Sequence, residues 1–335
     1  MKENLIDKTM KKILIGLLLL TCMSALGQEA GIDGVGYRIL SEEEKTAECY
    51  VVGINVERLD IKSKVTINGQ EYTVTSVADE AAMNYATKYL SSLTLPNTLK
   101  RIGKGNFTDC PFTELQLPPS LEYIGDESFR GLPITSIRIP ASLIHLGKEV
   151  FWGCSIYSMI VEEGNSVYDS RGSCNAIIES ANNKLVRGCF ATKIPPTVRI
   201  IADKALSGVS ITDIDIPASV EEIGKSAFYP NASLKSLTLH TSVPPIANED
   251  VIHSDLYSKV TLYVPEGCVD AYKSAPIWGK FTNIVEVSNN DTSVCLPTKN
   301  TASTQSSECY DLQGRRLNGK PTKRVYIESG RKKIK

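Results

Sequence analysis

Two stretches of this chain are nearly the same line. LQLPPSLEYIGDESF runs from Leu115 to Phe129, and twenty-two residues later IRIPASLIHLGKEVF runs from Ile137 to Phe151. The register extends both ways. Phe107, Phe129 and Phe151 are 22 apart, and Leu206 and Phe228 resume the series after an interruption. Leu93, Leu115 and Ile137 keep one phase; so do Leu95, Leu117 and Ile139; Leu99, Leu121 and Leu143; and Ile102, Ile124 and Leu146. The later set is Ile214, Ile216, Val220 and Ile223. Self-similarity at such a period marks a solenoid, in which each unit buries its apolar face only by stacking on its neighbours.

Each unit opens with an alternating stretch such as TELQLP (Thr113 to Pro118), whose period of two predicts a short, half-buried strand. Pro118 ends it, because proline cannot donate to a ladder. In that phase Leu115 and Leu117 face inward while Glu114 and Gln116 face solvent. Stacked coils then form a parallel ladder, each step about 4.8 Å, with the phenylalanine filling the far side of the coil.

The N-terminus carries an export signature. Lys11 and Lys12 precede ILIGLLLL (Ile13 to Leu20), and SALGQ (Ser24 to Gln28) offers small residues before a cut after Gly27, so residues 1–27 read as a signal peptide. Met10 begins a complete signal by itself, which makes Met1 or Met10 the start. Cys22 allows a rival route, lipidation, although Thr21 stands where that processing prefers a small residue. Eight apolar residues are too few for a stable span, and no later stretch approaches membrane length. The expected destination is therefore outside the cytoplasm, secreted or at the cell surface. With 37 basic and 38 acidic residues the formal charge is −1, so no summed field draws the chain to nucleic acid.

The pattern LP..L..IG...F resembles the BspA-like leucine-rich-repeat proteins of anaerobic bacteria. TINGQEYTVTSVADEAA (Thr66 to Ala82) is similar to that family's opening hairpin, with a tight turn at Asn68-Gly69. NSVYDSRGSCNAIIESANNKLVRGC (Asn165 to Cys189) is similar to a recurring insertion, and TLYVPEGCVDAYKSAPIWGKFTNIVEV (Thr261 to Val287) to a closing cap. The resemblance covers roughly residues 32 to 287. It implies a mainly β leucine-rich-repeat solenoid of about 22-residue coils, with a parallel strand ladder. The domains it implies are an N-terminal β-hairpin cap over 28–72, then a solenoid over 73–287 with an insertion at 162–193 and a C-terminal cap at 260–287. The asparagine ladder of other leucine-rich repeats is missing, so their ligand sites do not carry over. Residues 288–308 are Ser/Thr/Asn-rich and without apolar period, hence a flexible linker. Residues 309–335 alternate again, with a turn at Asn318-Gly319, and resemble the short C-terminal tail of many secreted proteins of the same bacteria. Arg324 stands where that tail usually has glycine. Sorting tag and merely appended hairpin both fit.

Reactive groups are scarce. The three histidines, His145, His240 and His253, lack metal-ligand spacing, and no phosphate loop, nucleophile elbow or His-Glu-x-x-His motif occurs. Asp213 and Asp215 are alternate residues on one strand, a solvated acidic patch rather than a pair with separated pKa values. No enzyme activity, metal or cofactor is expected. Cys110 and Cys154 share a phase two coils apart, about 9 to 10 Å, beyond the roughly 7 Å reach of a disulfide. Cys174 and Cys189 flank a hairpin and are read as a bridge or as two buried thiols. Cys295 and Cys309, in and beside the linker, could also pair.

The outward residues of the strand ladder are the candidate contact surface. Thr94, Gln116, Arg138 and Ile160 make one column and Glu114, Ser136 and Ser158 the next, with Asp213 and Asp215 farther along. Their mixed charge points to an extracellular protein or glycan partner. The family resemblance implies an exported, non-catalytic interaction or adhesion module. The alternative is a carbohydrate-binding accessory protein in glycan scavenging, for which Trp152, Tyr157 and Tyr168 are the local aromatic candidates.

Overall fold

The computed structural model describes residues 29–53, 56–82, 88–248 and 250–287, together with the backbone of four short strands between Cys309 and Lys333. The signal peptide, Cys22, Cys295, the linker and the Asn318-Gly319 turn lie outside the described residues. The chain winds through about ten turns of a β-solenoid, with coils about 23 residues apart.

Most coils contribute two strands, a leading and a trailing one, rather than one. The leading strands are the alternating stretches read above. Arg58–Asp60 pairs with Ser92–Thr94, and Ser136–Ile139 with Ser158–Val161; Asp213–Ile216, Ser236–Leu239, Thr261–Pro265 and Asn283–Val287 stack in that order, all in parallel. The trailing strands are two-residue pieces: Arg101–Ile102, Tyr123–Ile124 and His145–Leu146, then Ile200–Ile201, Glu222–Ile223 and Ile246–Ala247, again parallel. At the third side of the coil the chain turns at the phenylalanine position, Phe107, Phe129, Phe151, Leu206 or Phe228.

The phenylalanines form a spine. Phe107, Phe129, Phe151 and Phe228 are buried, and the rings of the first three stack at 5.5 and 6.2 Å. Phe107 and Phe129 hold φ near +60°, a region L-residues rarely adopt, because their N–H groups are tied to Ala82 and Asn106 carbonyls while their rings fill the core. The glycine of each IG pair answers to close approach: a Cβ at Gly125 would sit 2.5 Å from the Lys104 amide, and at Gly147 2.4 Å from that of Asp126. A ladder of hydroxyls ties successive coils together. Thr98 donates to the Val74 carbonyl, Ser120 to Leu99, Ser142 to Leu121 and Ser219 to Val198, at 2.7 to 2.8 Å.

The N-terminus adds a meander, Glu29–Ile32, Val35–Ser41 and Thr46–Val52, whose last strand joins Gln70–Val77 in parallel. Lys64–Ile67 and Gln70–Val77 form the hairpin, with Asn68 and Gly69 at φ of 52° and 79°. The leading ladder already begins at Arg58–Asp60, inside the segment read as the opening cap.

One sequence expectation is corrected. Residues 114–117 form no strand, and Leu115 and Leu117 are only half-buried. The leading ladder therefore breaks between Thr94 and Ser136. The repeat continues past Leu239. Ile246–Ala247 continues the trailing ladder, and Val251 accepts the Phe228 N–H, so one more coil is built with Val251 and Ile252 buried where phenylalanine is absent. The closing segment supplies the strand Thr261–Pro265 and, after it, large buried aromatics. Tyr272 and Trp278 are buried, anchored by Tyr272 Oη to the Thr241 carbonyl (2.8 Å) and Trp278 Nε1 to the Pro245 carbonyl (2.7 Å). Asn283–Val287 then lies outermost in the leading ladder.

The insertion is an antiparallel unit of Tyr168–Asp169, Ala176–Glu179 and Lys184–Gly188, whose last strand joins Ile200–Ile201 in parallel. It separates two core clusters and is held by Arg187, a 7% exposed cation. Arg187 donates to the carbonyls of Phe151 (3.1 Å), Ser207 (2.9 Å) and Lys204 (3.2 Å), bridging coils on either side of the insertion. Burial pushes its guanidinium down to about 10, still charged at neutral pH.

Candidate binding surface

Along the leading ladder every second side chain points to solvent, as the pleat requires. The pairing fixes which of the candidate residues are neighbours. Ser136 lies opposite Ser158 and Arg138 opposite Ile160, so these four form a two-by-two patch. Thr94 is opposite Asp60 instead. Gln116 and Glu114 are exposed in the break and pair with neither side. Asp213 and Asp215 begin a separate four-strand run, opposite Ser236 and Thr238. The residues predicted as continuous columns are thus three groups.

The centre of the surface is apolar. Tyr157, at the start of the Ser158–Val161 strand, is 58% exposed, and Ile160 36%. Phe190, delivered by the insertion, stacks on Tyr157 with ring centres 4.8 Å apart and planes at 15°. Its N–H bonds the Ile156 carbonyl, which fixes it beside the ladder. The pairing was invisible in sequence because Phe190 lies 33 residues away in a segment without repeat register. The other two aromatic candidates pack. Tyr168 is buried and its hydroxyl accepts the Leu146 N–H (3.1 Å); Trp152 lies beneath the Arg130 guanidinium at 4.3 Å and donates to Ser207 Oγ (3.0 Å).

The acidic pair is divided between partners. Ser236 Oγ and Thr212 Oγ1 both donate to Asp213, at 2.5 and 2.7 Å, while Asp215 Oδ1 meets His240 Nε2 at 2.5 Å. Neither carboxylate leans on the other, so the arrangement offers no acid and base of opposed character. His253 stacks on Tyr229, and its Nδ1 accepts the Asp255 N–H. Among the described residues no group of three His, Cys, Asp or Glu is placed to hold a metal. Cys110, Cys154, Cys174 and Cys189 are all buried and unbridged. Burial drives the Cys154 thiol up to about 11, which leaves it protonated and unreactive at neutral pH.

A family model described as BspA type leucine rich repeat region matches residues 79–174 and 177–262, in six copies. No curated protein matches the chain. Among solved structures, a leucine-rich repeat protein from Bacteroides ovatus is similar at 21% identity and a TM-score of 0.48, over 77% of this chain and 76% of that one. A leucine rich cell surface protein from Faecalibacterium prausnitzii is similar at 18% identity and 0.37, over 77% and 94%. A leucine-rich repeat protein from Eubacterium ventriosum follows at 14% identity and 0.45, over 77% and 83%.

Proposed function

We propose, from the premise that this chain belongs to the BspA-type leucine-rich-repeat family, that it is an exported, non-catalytic module that binds another protein through the leading face of its solenoid. The observation carrying this reading is the stack of Phe190 on the exposed Tyr157, at the start of the strand that carries Ile160, which lies opposite Arg138. Aromatic and arginine side chains anchor protein interfaces, and here they stand on a rigid ladder, so little conformational freedom is lost on contact. Ser136 and Ser158 would form the adjacent polar rim, with Thr94, Glu114, Gln116, Asp213 and Asp215 outside it. No described helix is long and apolar enough to cross a membrane. Export follows from the N-terminal signature; N-terminal sequencing of secreted protein beginning at Gln28 supports it, and a chain beginning at lipidated Cys22 replaces free secretion with a lipid anchor.

The test is an array of immobilised extracellular-matrix and cell-surface proteins probed with the full chain. Tyr157→Ala and Arg138→Glu should each lose binding to whichever protein is captured, at unchanged melting temperature. Retained affinity in both variants moves the site off this face.

A further inference from the structure

A row of side chains crosses the trailing sheet at one register position. Glu29 is opposite Arg38, Arg38 opposite Glu48, Glu48 opposite Ser76, Ser76 opposite Arg101, Arg101 opposite Tyr123, and Tyr123 opposite His145. Directly paired residues share a face of the sheet, so seven strands place seven residues in one line. Six steps of about 4.8 Å give a row about 29 Å long. Six members carry long polar or aromatic side chains, and the seventh is serine. At Ser76, 4% exposed, the row dips into an open groove.

The groove walls are ion pairs, each fastened twice. On one side Arg38 binds Glu48 at 2.6 Å and lies 5.2 Å over the Tyr50 ring. On the other Arg101 binds Asp79 at 3.0 Å and lies 4.6 Å over the Tyr123 ring, while Asp79 also accepts the Lys104 N–H. Lys100, at the rim, pairs with Glu122 at 3.7 Å. Leu40, 51% exposed, and Ala78 supply apolar lining. Beyond Arg101 the Tyr123 and His145 rings stack at 4.3 Å and 8°, and the sheet ends with the His145 strand.

This chemistry selects a ligand class. The three cations of the groove, Arg38, Lys100 and Arg101, each already hold a carboxylate, Glu48 and Asp79 within the lining and Glu122 outside it, so an ion of either sign would have to displace a partner already in place. A purely apolar ligand would strip water from charged walls without replacing its hydrogen bonds. A chain of hydroxyls, each both donor and acceptor, can bond guanidinium N–H groups and carboxylate lone pairs together, while its C–H faces cover Leu40, Ala78 and the aromatic end. The ion pairs hold these groups in position before binding, which lowers the ordering cost. We propose that the groove over Ser76 and the adjoining Tyr123–His145 stack form a binding site for a neutral oligosaccharide, extended along the row. The site lies on different strands from the Tyr157 surface and stands or falls independently of it.

The test uses the full chain against an array of neutral oligomers of glucose, xylose, mannose and N-acetylglucosamine, with heparin as the polyanion control, followed by calorimetric titration of the best binder. A neutral oligomer should bind. Tyr123→Ala, which removes the ring held between Arg101 and His145 and so releases both groups, should weaken it about tenfold. Tyr123→Phe should retain most of the affinity, His145→Ala should weaken it, and Tyr157→Ala should leave it unchanged; melting curves on the same samples check folding. Binding to heparin alone, to no neutral oligomer, or undiminished binding by both Tyr123→Ala and His145→Ala overturns the proposal.

Discussion

Phe129→Ala probes the spine at its best-supported point. Phe129 is 0% exposed and lies between Phe107 and Phe151, with ring centres 5.5 and 6.2 Å away. Truncation removes a wholly buried ring and leaves a hole that the neighbours on both sides cannot close, because backbone hydrogen bonds between successive coils hold the spine in place. Large-to-small changes at such aromatic sites cost about 3 to 5 kcal/mol, and two lost ring stacks place this one near the top of that range. For a domain of this size the melting temperature should fall by roughly 10 °C. Arg138→Ala, on an exposed position of the leading ladder, should stay within about 0.5 kcal/mol. Urea denaturation followed by circular dichroism reads both. A solenoid can unravel by parts, so exchange of the Arg101 to Leu146 amides should be followed in parallel. A Phe129→Ala cost below about 1 kcal/mol, or equal costs for the two variants, would refute the assignment of inward and outward positions.

Arg187→Met removes the donor shared by the Phe151, Ser207 and Lys204 carbonyls, and should cost about 3 kcal/mol or more in urea titration, since buried acceptors are left without partners; a neutral change would mean that packing alone joins the two halves. Burial raises the Asp169 pKa, but bonds from Arg171 and Ser180 outweigh it and hold the carboxyl below its ordinary 3.8. That stability is therefore present above about pH 4 and lost as pH falls toward the folded value, so the 168–188 unit of Asp169→Asn should show a flatter acid dependence of amide exchange than the parent. Deletion from Val260 onward strips away Tyr272 and Trp278 and should give an aggregating product, whereas deletion from Ser288 onward should leave a soluble, cooperatively melting domain; light scattering and calorimetry distinguish the two.

What the sequence displayed and what it concealed follow from how each signal is written. The coil period, the inward leucines and the buried phenylalanines repeat at fixed spacing, so they are visible without any contact. The Asn68-Gly69 turn is equally local. The trailing ladder escaped because two residues per coil are too short to show alternation, although Ile102, Ile124 and Leu146 already marked its phase. The break at 114–117 escaped for the opposite reason: its pattern matches neighbouring strands although no ladder forms there. The extra coil after Leu239 is hidden by Val251 and Ile252 standing in for phenylalanine. On the surface, Arg138 and Ile160 were placed together correctly by register. Phe190, Arg187 and the row through Ser76 depend on contacts between segments that share no period, and only the fold brings them together.

Amide hydrogen exchange of the free protein, read by mass spectrometry with overlapping peptides, tests the two-ladder architecture most directly. The account predicts strong protection in Ser136–Ile139, Ser158–Val161, Asp213–Ile216 and Ser236–Leu239, protection at the paired trailing amides between Arg101 and Leu146, and rapid exchange at 114–117 between them. Protection of 114–117 equal to that of Ser136–Ile139, or unprotected trailing strands, would contradict it.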